Sequence, residues 1–110
     1  MITLEKDQIL IQIGKRISLR RKELNMTQEH LAELIGLSLQ SISCIELGKK
    51  GIRPENLIKL CQALDVTSDY ILFGYRSEGQ IKPLINKISS LSQEDYLIVE
   101  SIVSRLSKSE

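Results

Sequence analysis

Two short stretches of this chain concentrate positive charge: Lys15, Arg16, Arg20, Arg21 and Lys22 in the first, Lys49, Lys50 and Arg53 in the second. Ammonium and guanidinium groups clustered in this way can hold phosphates. The formal net charge over 110 residues is only +1, however, and Glu23, Glu29, Glu33 and Glu55 can balance the same cations on an ordinary solvated surface. Charge alone favours the solvated surface. Other chemistries lack their parts. His30 is the one histidine and falls on an expected exposed helix face, with no nucleophile motif, no Gly-rich phosphate loop, and carboxylates scattered along the chain. Cys44 and Cys61 have no metal-ligand spacing, and both lie inside apolar helical patterns. They are expected to be free, reduced thiols, with Cys61 a packing residue. The reading is of a protein that is not an enzyme and needs neither metal nor cofactor.

The elements that must position the cations centre on Thr27 to Gly48, which reads as two short helices around a sharp turn. Leu31, Leu34 and Ile35 stand at i, i+3 and i+4 after the capping Thr27, so all three are expected to be buried. Gly36 suits a turn with positive φ, and Ser38 can cap the next helix, where Ile42 and Ile45 face inward. Before this pair, Ile9, Leu10, Ile13, Ile17 and Leu24 follow helical spacing, and Asn25 is a left-handed stop. After it, Pro54 and Glu55 open a fourth helix with Leu57, Ile58, Leu60, Cys61 and Leu64 on its apolar side. Thr67 caps a short fifth helix through Tyr70 to Phe73, which ends at Gly74.

These residues resemble the lambda-repressor and Cro type of helix-turn-helix DNA-binding domain, also called the XRE family. The resemblance runs from about Ile13 to Gly74. It rests on Thr27-Gln28, Leu31-Ala32, Gly36-Leu37-Ser38, Ile42, Ile45-Glu46 and Gly48, continued by Pro54, Leu57, Leu60, Ala63-Leu64, Val66, Asp69 to Leu72 and Gly74. It implies an all-α, five-helix domain over residues 9–74 that acts as a transcriptional regulator, expected to be a repressor reading a palindromic operator in double-stranded DNA. By that resemblance the second helix of the motif enters the major groove, with Ser38, Leu39, Gln40, Ser43 and Cys44 at base-reading positions. Gln40 leads, because its amide offers adenine a donor and an acceptor together, whereas Leu39 offers only apolar contact or faces protein instead. Gln28, Lys49, Lys50, Arg53 and Arg20, with Lys15 or Arg16, are the expected phosphate contacts. Arg21 and Glu46 match positions that pair structurally in relatives.

Residues 75–110 read as a linker, Tyr75 to Gln80, and a helical tail. Pro83 sits near the start of the run Leu84, Ile85 and Ile88. A last helix begins at Ser92, with Asp95 as reciprocal acid and Leu91 and Tyr96 as its staple. Tyr96, Val99, Ile102, Val103 and Leu106 form an apolar stripe broader than one helix can hide alone. It folds back on the domain or meets a copy of itself, and a homodimer would suit a two-fold operator. The alternative function is an antitoxin or another regulator that binds a protein partner with the same scaffold. No apolar run is long enough for a membrane helix and the start lacks a leader pattern, so a cytoplasmic location is expected.

Overall fold

The computed structural model describes residues 5–107, and among them the regular structure is entirely helical. Five helices, α1 (Lys6–Glu23), α2 (Gln28–Ile35), α3 (Leu39–Glu46), α4 (Pro54–Leu64) and α5 (Ser68–Phe73), make a first unit that ends at Ser77. Its core joins Ile17, Leu31, Ala32, Ile35, Ile42, Ile45, Leu60, Leu64, Tyr70 and Ile71. Every one of these helices contributes to it.

Helix α1 begins three residues before the expected Ile9, with Asp7 in its first turn and Arg20, Arg21 and Lys22 in its last, the arrangement the helix dipole favours. Its stop is Asn25, at φ 55°. Its buried face is Gly14, Ile17 and Arg21, flanked by half-buried Ile13, whereas Ile9 and Leu24 are exposed. Leu24 lies past the last helical turn, and Ile9 lies before the stretch that α3 and α5 cross. Leu34 is also exposed, against expectation, at 53%. At about 100° per residue, Leu31, Ala32 and Ile35 span one arc of α2, and α3 and α4 pack on that arc. Leu34 falls outside it. Ile58 departs for the same reason, since α4 buries Leu60 and Leu64 and turns Ile58 to solvent.

Caps and turns fix the order of the motif. Thr27 Oγ1 accepts from the His30 amide at 3.0 Å, and Ser38 Oγ accepts from the Ser41 amide at 3.0 Å. Between them Gly36 takes φ 72°, where a side chain would be strained. Thr67 caps α5 in the same way, accepting from the Tyr70 amide at 3.2 Å, and Gly74 closes the helix.

A second unit, from Glu78 onward, holds α6 (Glu78–Ser89) and α7 (Gln93–Ser107). Helix α6 takes up Glu78 to Gln80, residues expected in a linker, and continues through Pro83. Proline forfeits one backbone hydrogen bond there but does not end the helix. Ser92 caps α7, its Oγ accepting from the Asp95 amide at 3.2 Å. Neither helix has a buried residue. Tyr96, Ile102, Val103 and Leu106 are exposed and Val99 is half-buried. Leu4, where the sequence allows an early helical turn to begin, lies outside the described residues.

Candidate nucleic-acid interface

Helix α3 packs against α1 and α2 through Ile42 and Ile45, which leaves Leu39 and Gln40 on the surface and Ser43 and Cys44 half-buried beside them. Leu39 is 46% exposed, so its side chain is open to a partner outside the domain. Two features hold this helix at its angle. The first is an ion pair. Arg21 donates from Nε to Glu46 Oε2 at 2.7 Å and from Nη2 to Oε1 at 3.0 Å, while its Nη1 donates to the Met26 carbonyl at 2.7 Å. The Glu46 hydrogen bonds outweigh burial and hold the Arg21 guanidinium above its ordinary pKa. Both residues are buried, so α1 is bolted to the last turn of α3 by charge as well as by apolar packing.

The second feature is close backbone contact. Gly14 of α1 meets the α3 backbone, where an added Cβ would overlap the Ile45 carbonyl oxygen and stand 2.5 Å from that of Glu46. Just beyond α3, Gly48 takes φ 75° and lies against Ile11, whose Cα would be 2.6 Å from a Cβ at position 48. Gly14 escaped the sequence reading because glycine inside a helix ordinarily marks weakness rather than contact. Its signal was its register: three and seven residues before Ile17 and Arg21, on the same face.

Around α3 the expected phosphate contacts divide. Lys49, Lys50 and Arg53 are exposed, and Lys50 reaches back along the helix, donating from Nζ to Ser41 Oγ at 3.2 Å. Ser41, which also accepts from Ser38 Oγ at 3.0 Å, was absent from the expected site. Arg20 is used differently. It donates from Nε to the Leu64 carbonyl at the end of α4 at 2.9 Å and pairs through Nη1 with Glu23 at 3.4 Å. Arg16 likewise donates to the Ile71 carbonyl of α5 at 3.0 Å. Thus three arginines of the first basic cluster clasp α1 to α3, α4 and α5, Arg21 through the Glu46 carboxylate and Arg16 and Arg20 through carbonyls that helix ends leave in need of donors. Gln28, at the start of α2, is half-buried and donates from Nε2 to Glu46 Oε1 at 3.0 Å. His30 is exposed, and both cysteines are free. Among the described residues, no His, Cys, Asp and Glu group could hold a metal, and no helix is long and apolar enough to cross a membrane.

Known proteins are similar to this chain in sequence and in fold. The transcriptional repressor RstR of the cryptic phage CTXphi in Vibrio cholerae is 29% identical over 86% of this chain and 90% of its own length. Repressor protein C2 of Salmonella phage P22 is 36% identical over 63% of the chain, which spans only 32% of that longer protein. A crystal structure of the P22 c2 repressor with a synthetic operator superposes with a TM-score of 0.56 at 38% identity, covering 57% of this chain and 96% of that one. A complex of SinR and SinI proteins aligns over 89% of this chain and 99% of its own, with 25% identity and a TM-score of 0.55. The HTH_3 helix-turn-helix family model matches residues 17–71, from the buried core position Ile17 to Ile71. This chain belongs to the HTH_3 helix-turn-helix family.

Proposed function

We propose that this protein binds a specific operator in double-stranded DNA and regulates transcription as a repressor. The observation that carries the reading is the exposed start of α3, with Gln40 foremost, held rigidly by Arg21–Glu46 and flanked by exposed Lys49, Lys50 and Arg53. Such a helix can enter the major groove with Gln40 against an adenine, Leu39 against a thymine methyl, and Ser38, Ser43 and Cys44 making shorter contacts. Gln28 and the flanking cations then meet phosphates, which orient the domain without reading sequence. Two relatives are named as repressors, and one is seen on operator DNA.

The tail is assigned to homodimer formation through Tyr96, Val99, Ile102, Val103 and Leu106, which would place two reading helices on the halves of a palindrome. Binding of the full chain and of a chain ending at Gly74 to the gene's upstream DNA tests this. The full chain should occupy two half-sites together, and the shortened chain should bind each independently. A second reading, regulation through a protein partner as an antitoxin would be regulated, is favoured by exposed Leu39 and the apolar faces of α6 and α7, with SinR found alongside SinI as a parallel. Either reading suits the cytoplasm.

A further inference from the structure

Gln28, Glu46 and Arg21 form one hydrogen-bonded chain across three helices, and its chemistry goes beyond bolting α1 to α3. Glu46 Oε1 accepts from Arg21 Nη2 and from Gln28 Nε2, each at 3.0 Å. An ionised carboxylate can only accept, so it fixes which end of the Gln28 amide faces it: the nitrogen, not the oxygen. One N–H of that nitrogen is then occupied and one remains. A phosphate oxygen is also an acceptor and can use only that remaining N–H. A Gln28 amide turned the other way would set its carbonyl oxygen against the Glu46 carboxylate, acceptor against acceptor.

We infer that Glu46 is a positioning residue for Gln28, setting the amide so that its free N–H is available to a DNA phosphate, while Arg21 neutralises the carboxylate that does the setting. The neutralisation is essential to the device. A bare carboxylate one hydrogen bond from the phosphate-contacting group would oppose an anion's approach. Arg21 meets it with two hydrogen bonds, the nearer at 2.7 Å, and the pair is buried. The ion pair therefore has two tasks, holding α3 and presenting an uncharged donor at the start of α2. This inference rests on the DNA-binding reading and deepens it.

The test is a mutant cycle on the full chain, using a duplex selected by the wild-type protein from a randomised pool. Gln28→Ala is made in the wild type and in Arg21→Met/Glu46→Met, in which the charges are removed together and the fold is checked by circular dichroism. In the wild type Gln28→Ala should weaken binding about tenfold, the effect of a lost hydrogen bond at each half-site. In the double variant the same change should cost about twofold or less, because the amide is no longer set. A purely structural pair would leave the cost of Gln28→Ala equal in both backgrounds, and that result overturns the inference. The side-chain amide resonances of Gln28 in the free wild-type protein supply a measurement that requires neither a variant nor DNA. The Gln28 amide proton held on Glu46 should exchange with water more slowly than the side-chain amide protons of exposed Gln40, and equal exchange at the two glutamines overturns the inference. If the anchored amide is seen but no duplex is selected from the pool, the DNA reading fails and takes the phosphate role with it.

Discussion

Gly14 of α1 lies against the carbonyl of Glu46 at the end of α3, so closely that a methyl group on Gly14 would stand 2.5 Å from that oxygen. The approach brings Arg21, two turns further along α1, within reach of the Glu46 side chain at 2.7 Å. A backbone contact and an ion pair thus share one crossing, and both converge on the helix that carries Gln40.

Gly14→Ala should therefore destabilise the domain by about 2 kcal/mol, since overpacking against rigid backbone outweighs the better helix propensity of alanine. Urea unfolding followed by circular dichroism checks it. An unchanged midpoint would mean that the helices separate freely and that the crossing is not fixed by this contact.

The Arg21–Glu46 pair should behave asymmetrically. Each single replacement, Arg21→Met or Glu46→Met, leaves one buried charge without its partner and should cost about 3 kcal/mol, whereas the double replacement should lie close to the wild type. Thermal melting of the three variants separates the outcomes. If the singles cost no more than the double, the pair is too well solvated to fix the angle of α3.

Alkaline pH should weaken the fold. Burial raises the pKa of the Cys61 thiol above 9.0 and that of the Tyr70 phenol above 10.0, because the folded chain disfavours their anions. For groups raised on folding, stability is fully present below the ordinary pKa and is lost as pH rises towards the folded value, since the unfolded chain ionises first. The melting temperature should fall progressively above about pH 9, less steeply in Cys61→Ala. A melting temperature equal at pH 8 and pH 10.5 would contradict the burial of both groups.

Much of this was legible in the sequence, and the misses share a cause. Caps and stops announced themselves locally: Thr27, Ser38, Thr67 and Ser92 each accept an amide hydrogen bond, and Gly36, Gly74 and Asn25 each take positive φ. Leu34 and Ile58 are exposed because apolar periodicity marks which residues can be buried, while only the neighbouring helices decide which are. The carbonyl contacts of Arg16 and Arg20 were hidden for a related reason. Their charge suggested phosphates, but their partners, the carbonyls of Ile71 and Leu64, are 55 and 44 residues away along the chain, where no local pattern could point. In α6, Pro83 suggested a boundary although the helix runs through it.

Affinity for a duplex selected from a randomised pool, measured at several salt concentrations for the wild type and Gln40→Ala, shows whether the exposed start of α3 reads base sequence. With exposed Lys49, Lys50 and Arg53 on phosphates in each protomer of a dimer, log affinity should fall against log salt with a slope of about −5. Gln40→Ala should lose about tenfold or more on the selected duplex while binding random DNA as the wild type does. Equal, weak binding of both proteins to any duplex, with little response to salt, would mean that α3 reads no bases and would leave a protein partner as the target of this surface.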